Sequence, residues 1–191
     1  PAPPLLITCM TPAGRATLEQ LFGEHVTVRY LPYDFAGAMA FFLRQAQPRL
    51  GVIMETELWP NLVRASQRAG VKLFLVNARL SARSARGYRK LAALARATLS
   101  GFEAVAAQTQ ADARRLLDLG ARSVSVSGNL KFDVDPPATA QELGRMFRQR
   151  IGPRPVWLAA STREGEERLV LEAFAHTAPA EALLVLVPRH Q

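Results

Sequence analysis

The chain is nearly without cysteine: Cys9 is the single one in 191 residues, which excludes an internal disulfide framework and fits a reducing compartment. Histidine is sparse as well. His25, His176 and His190 stand at no spacing that would hold a structural zinc with that cysteine. No apolar run approaches the roughly 20 residues that cross a bilayer as a helix, and Pro1–Pro4 lack the charged start of a secretory signal. Aromatic residues make up only 7%, and no recognised nucleic-acid module is visible, which argues against DNA or RNA as a partner. Neither Gly-x-Gly-x-x-Gly after the first apolar run nor Gly-x-x-x-x-Gly-Lys-Ser/Thr occurs, so a dinucleotide dehydrogenase and a P-loop ATPase are both disfavoured.

What the chain does have is apolar material in short, regularly spaced blocks. Hydrophobic residues are 49% of the total and charged residues 21%, enough to bury a core. Strands are predicted at Leu5–Met10, Val26–Leu31, Leu50–Met54, Lys72–Asn77, Ala104–Ala107, Ser123–Ser127, Val156–Ala160 and Leu183–Val187. Between them, Arg15–Phe22, Ala36–Gln45, Pro60–Ala69, Ala82–Leu99, Gln110–Leu119, Ala138–Gln149 and Gly165–Ala175 carry apolar residues at helical spacing. Several strands are unbroken apolar runs, as in a parallel sheet with helices on both faces. The alternation predicts an α/β, doubly wound, Rossmann-like architecture. Asp133-Val134-Asp135-Pro136-Pro137 interrupts it, because two prolines continue neither a helix nor a central strand. The expected organisation is a nearly complete first domain, residues 1–135, followed by a linker and the beginning of a second, residues 136–191.

Charge is unevenly distributed. The net charge is +8, yet the stretch Leu58–Phe102 alone holds nine basic residues and no acidic one. An anionic partner for that stretch is the physical implication. Arg79, Arg83, Arg86 and Lys90 fall at offsets that line one side of a helix, with Tyr88, Leu91, Leu94 and Ala95 available to pack on the other. Such a helix can lie against anionic lipid or a phosphorylated ligand. Its Ala-rich apolar side favours electrostatic contact over insertion.

In doubly wound sheets, ligands bind beyond the carboxyl ends of the strands. Four strand ends here carry unusual residues. After Leu50–Met54 come two carboxylates, Glu55 and Glu57, with Pro60 suited to an early helical position. Glu57 has a structural role available at the helix N-terminus, which leaves Glu55 as the functional candidate. Lys131, in Gly128–Asp133, is one of only three lysines against 21 arginines. Its compact charge suits a developing anion or phosphate, although a solvated loop lysine is the plain alternative. Ser161 followed by Glu164 fits a capping box. Pro188-Arg189-His190 ends the last strand, where the arginine could grip a phosphate or nucleobase.

Several strings run in one order along nearly the whole chain: Thr11-Pro12 within Met10–Gly14, Leu31-Pro32-Tyr33-Asp34, Met54–Asn61, Asn77–Ser81 with Arg83-Ser84 and Gly87-Tyr88, Gly128–Asp133, Ser161–Glu167 and Leu186–His190. Together they resemble the 3-deoxy-D-manno-octulosonic acid (Kdo) transferases of lipopolysaccharide synthesis. The eight residues Met-Glu-Thr-Glu-Leu-Trp-Pro-Asn are the most specific part. The resemblance implies an inverting, metal-independent glycosyltransferase of the GT-B fold, with two facing Rossmann-like domains and no cofactor beyond its donor. It implies transfer of Kdo from CMP-Kdo to a lipid A precursor (lipid IVA) at the cytoplasmic face of the bacterial inner membrane.

By position, Glu55 and Lys131 match the family's transition-state stabilisers, and Pro188 and Arg189 match residues that contact the CMP moiety. Arg79, Arg83, Arg86 and Lys90 are the candidates to face the lipid acceptor or the anionic membrane. The family's general base, a Glu in a Gly-Glu motif, has no counterpart here, nor do its hydrophobic anchor and most of its CMP-binding domain. This chain alone is therefore expected to show negligible activity. Arg163 stands where the family usually has His. The competing expectation is a non-catalytic α/β module that docks on anionic membrane or phosphorylated ligands through the basic helix.

Overall fold

The computed structural model describes residues 4–189, so His190 of the last string lies outside the described residues. Contacts divide the chain between Asp133 and Val134 into two units. In the first, β1 (Leu6–Cys9) and β2 (Thr27–Tyr30) pair in parallel, with α1 (Pro12–Phe22) between them in sequence. A second, four-stranded parallel sheet has the spatial order β3 (Leu50–Met54), β4 (Lys72–Ala78), β5 (Ala104–Ala107), β6 (Val124–Val126). Helices α2 (Ala36–Ala46), α3 (Pro60–Arg68), α4 (Ala82–Arg89), α5 (Ala92–Leu99) and α6 (Gln110–Asp118) connect these strands. The second unit pairs β7 (Val156–Thr162) with β8 (Leu183–Pro188) in parallel and carries α7 (Ala138–Ile151) and α8 (Glu166–Thr177).

Register explains the core of the first unit. Gly51 lies opposite Leu73, Ile53 opposite Leu75, and Leu75 opposite Val105, so these residues share one face. That face packs on Val63 of α3, Leu99 of α5 and Leu116 of α6, all buried. Each fully buried leucine contributes about 1.5–3 kcal/mol. Met39 and Leu43 of α2 extend the layer through Leu62 of α3. Val52 and Met54, which alternate with Gly51 and Ile53 along β3, are 54% and 50% exposed.

One correction concerns the helix predicted over Ala82–Leu99. It is two helices, broken at Lys90-Leu91, where Leu91 has φ −119° and ψ 42°. Of α4 only Ala85 is buried, so a continuous helix would bury little. The break instead brings Ala95, Thr98 and Leu99 of α5 into the core. Tyr88 packs against the core as expected, whereas Leu91 and Leu94 remain 62% and 49% exposed.

Two carboxylates hold the start of α3 and the segment after β4. The N-terminus of α3 has no cap from its own segment. Asp34, from the Leu31–Asp34 string, supplies one, accepting hydrogen bonds from the N–H groups of Asn61 (3.0 Å) and Leu62 (2.9 Å). Asp112 of α6 is 5% exposed and accepts from the N–H of buried Leu80 at 2.9 Å and from Arg115 at 3.3 Å. Arg115 also donates to the Leu80 carbonyl at 2.8 Å, so α6 clamps the segment after β4 by both backbone groups. Asp112→Ala leaves a buried N–H without its acceptor and should destabilise the chain by about 2 kcal/mol. Urea unfolding would measure this, with Asp112→Asn expected to recover part of the loss.

Candidate functional site

The carboxyl ends of β3, β4, β5 and β6 are tied together by hydrogen bonds from polar groups that follow the apolar strands. At the end of β3, the N–H of Glu55 donates to the Val76 carbonyl at 2.8 Å. Glu55 itself sits at φ +59°, in the left-handed region that disfavours a side chain. The next residue, Thr56, accepts from the Arg79 N–H at 3.0 Å and donates its hydroxyl to the Arg79 carbonyl. At the end of β4, buried Asn77 has φ +52°, and its carbonyl accepts from the Gln108 side chain at 2.9 Å.

The Asn77 side-chain oxygen accepts from the N–H of Leu130 at 3.3 Å. That bond leads into the Lys131 loop. The chain leaves β6 through Gly128 at φ +83°, a conformation suited to glycine. Leu130–Asp133 then forms one short 3-10 turn, shaped by a bond from the Lys131 N–H to the Asn129 side chain at 3.0 Å. The Lys131 side chain is exposed, as in the plain alternative of a solvated loop lysine, but this turn gives it a defined backbone.

Glu55 and Lys131 are thus brought to one rim: Glu55 is bonded to Val76, and the residue before Lys131 to adjoining Asn77. Both side chains are exposed. Among the described residues, neither the Glu55 carboxylate nor the Lys131 ammonium has a hydrogen-bond or ion-pair partner. Their charges are not used to hold the fold. Glu57 differs from Glu55 in this respect, because its carboxylate accepts from the Trp59 indole N–H at 3.0 Å. Its structural role is therefore to fix Trp59, while Asp34 caps the helix.

The basic candidates separate. Arg79 follows β4 and lies before Ser81, the residue that caps α4 by accepting from the Ser84 N–H. Lys90 is the C-terminal cap of the same helix. Only Arg83 and Arg86 lie within it, so the expected continuous row of four on one helix is not formed. All four are exposed, and Arg79 joins the Glu55 rim through Thr56. Sequence reasoning also passed over a second basic cluster: Arg44, Arg64 and Arg68 border a groove of about 230 Å³ between α2 and α3, floored by Ala40, Leu43 and Ala65. Its three arginines lie on two helices, so no single stretch of sequence displays them together.

In the second unit, the pair Pro188-Arg189 lies beside Ser161–Arg163. Pro188 is opposite Thr162, and the Arg189 N–H donates to the Thr162 carbonyl at 3.0 Å. The capping box predicted from Ser161 and Glu164 is not formed. Gly165 caps α8, Ser161 is still in β7 at φ +61°, and the Glu166 carboxylate accepts from the Arg163 N–H at 2.8 Å. Thr162 is buried, and its hydroxyl has no partner at ordinary hydrogen-bond distance. At longer reach it is the main cause holding the Glu167 carboxyl below its usual range.

The fold recurs in solved structures. Anabaena Alr3699/HepE in complex with UDP matches with a TM-score of 0.60 at 18% identity, over 95% of this chain and 52% of that one. A putative UDP-N-acetylglucosamine 2-epimerase from Listeria monocytogenes matches with a TM-score of 0.55 at 16% identity, over 98% and 55%. Both matches place the chain in a class of parallel α/β folds. Within that class the sequence is more specific, since residues 1–134 match the family described as 3-deoxy-D-manno-octulosonic-acid transferase (kdotransferase). The chain belongs to the Kdo transferase family. It is 43% identical to a 3-deoxy-D-manno-octulosonic acid transferase of Bordetella pertussis, over 98% of this chain and 46% of that protein. It is 35% identical to one of Haemophilus influenzae, over 97% and 45%. The chain therefore spans about half the length of these curated relatives.

Proposed function

We propose that this chain supplies part of an inverting glycosyltransferase that moves Kdo from CMP-Kdo to a lipid A precursor in lipopolysaccharide synthesis. The observation that carries this reading is a pair of charges without partners among the described residues, Glu55 and Lys131, anchored through adjoining Val76 and Asn77 on one rim. Breaking the bond between the sugar and the phosphate develops positive charge at the anomeric carbon and negative charge on departing CMP. Glu55 favours the former or orients the acceptor hydroxyl. Lys131 favours the latter or the Kdo carboxylate. With Lys131 supplying positive charge, the reaction is proposed to run without a metal or other cofactor. The first unit takes the acceptor side. Pro188 and Arg189 of the second contact the CMP moiety. An assay of the full-length protein with CMP-Kdo and lipid IVA tests the assignment: Kdo transfer is expected, and its absence with a folded enzyme refutes it.

The proposed acceptor is an anionic lipid, and the working enzyme is proposed to act at the cytoplasmic face of the inner membrane. The exposed residues Arg83, Arg86 and Lys90 of the acid-free stretch support that placement. Neutralising Arg83 and Arg86 together with glutamine should weaken binding to vesicles containing anionic phospholipid by about ten-fold at low salt. Co-sedimentation should show the difference shrinking as salt rises. Binding of the unaltered protein that ignores salt would remove the electrostatic contact.

A further inference from the structure

We infer that Asn77 is a positioning residue that joins the Glu55 segment to the Lys131 loop. The inference rests on the reading of Lys131 given above and adds a residue to it. Asn77 is a polar side chain, 6% exposed, at the end of an otherwise apolar strand. Burial of an amide is costly unless it is hydrogen-bonded, so its bonds indicate why it is there. Three connections meet at this point. The Val76 carbonyl, one residue earlier, holds the Glu55 N–H at 2.8 Å. The Asn77 carbonyl holds the Gln108 side chain after β5 at 2.9 Å. The Asn77 side-chain oxygen holds the Leu130 N–H at 3.3 Å.

The last bond is the important one. Leu130, Lys131, Phe132 and Asp133 are all exposed, so packing does little to place them. Among the described residues, the other hydrogen bonds of this turn run to Asn129, within the same loop. The bond to Asn77 alone ties the turn to the sheet. The backbone at Asn77, with φ +52°, narrows the choice of residue further. Asparagine and aspartate tolerate the left-handed region better than other side chains, and glycine adopts it freely. Of these, glycine cannot accept from Leu130. A single bond at an exposed rim does little for global stability, but a displacement of about 1 Å at a reacting group can cost a hundred-fold in rate. Asn77 should therefore show itself in turnover far more than in melting temperature.

The test uses the full-length transferase with CMP-Kdo and lipid IVA, and five forms: unaltered, Asn77→Gly, Asn77→Asp, Lys131→Ala, and Asn77→Gly with Lys131→Ala. Asn77→Gly keeps the backbone conformation and deletes the acceptor, whereas Asn77→Asp keeps both. The expected result is a fall in kcat of about ten-fold for Asn77→Gly, with the KM for CMP-Kdo little changed and the melting temperature within about 3 °C. Asn77→Asp should recover most of that loss. With Lys131 already removed, Asn77→Gly should cost less than about two-fold more, because the group it positions is gone. Equal losses in the glycine and aspartate forms, or a full further ten-fold loss without Lys131, would overturn the positioning role while leaving Lys131 catalytic. If Lys131→Ala itself turns over normally, the reading of Lys131 fails and this inference falls with it.

Discussion

Glu55→Gly in the full-length transferase is expected to lower kcat about a hundred-fold while the protein melts at the same temperature or slightly higher. The two halves of this result have separate physical causes. Glu55 occupies φ +59°, where a residue with a Cβ is strained by roughly 1–2 kcal/mol. Glycine removes that strain, although its greater freedom in the unfolded chain offsets part of the gain. Its carboxylate makes no hydrogen bond or ion pair among the described residues, so truncation costs the fold nothing on that account. The N–H that bonds the Val76 carbonyl is retained. The charge that the proposed mechanism directs at the transition state is different, because deleting one such electrostatic group typically costs roughly 10²–10³ in rate. Strain held in a residue that the fold does not use is a recurrent mark of a working site. Thermal melting alongside steady-state kinetics checks both halves, and unchanged kcat would remove Glu55 from the mechanism. Glu55→Gln refines the result: it keeps shape and strain, so a comparable loss assigns the effect to charge.

How much of this was legible in the sequence follows from what is local and what is not. The eight apolar runs became eight strands within about two residues at each end, because an unbroken run such as Leu50–Met54 is determined by its own composition. The helix over Ala82–Leu99 was misread because its spacing of arginines and alanines is helical throughout. Only the core decides that Leu99 must be buried while Arg83 is not, and that decision places the break at Lys90-Leu91. The same break separates the four basic residues that spacing had aligned. Ser161 was misassigned for a related reason: it had a plausible local capping box to make, and Gly165 with Glu166 prevailed. Glu57 does have a structural role, but its partner is Trp59, while the cap of α3 comes from Asp34, 27 residues before Asn61. Asn77 stood out only as the first residue of the string Asn77–Ser81, and Asp112 not at all, although an asparagine ending the apolar strand Lys72–Asn77 is itself a signal. Their partners lie 53 and 32 residues away, and sequence spacing carries no trace of such bonds.

Lys131→Ala should lower turnover by about a hundred-fold, and Lys131→Arg should restore only a small part of it. In the proposed mechanism the loss follows from removing a cation that meets negative charge on the donor as the sugar leaves. The incomplete rescue follows from shape. An ammonium is a compact charge with three donors on a flexible stem, whereas a guanidinium is a rigid planar fork that needs room for two parallel bonds. The chain supports this choice by its own usage: with 21 arginines against three lysines, arginine is its ordinary cation, and Lys131 departs from it on the rim that carries Glu55. Stability should be unaffected, within about 0.5 kcal/mol, because this exposed ammonium has no partner among the described residues. The turn that carries it is held by the Leu130 and Lys131 backbone N–H groups, which the substitution leaves in place. Kinetics of the two variants decide the matter. An arginine form as fast as the unaltered enzyme would mean that any cation suffices there, as expected of general attraction for an anionic donor. Partial rescue requires that the position of the charge relative to the breaking bond matters, which is why a tether from Asn77 has consequences for the rate.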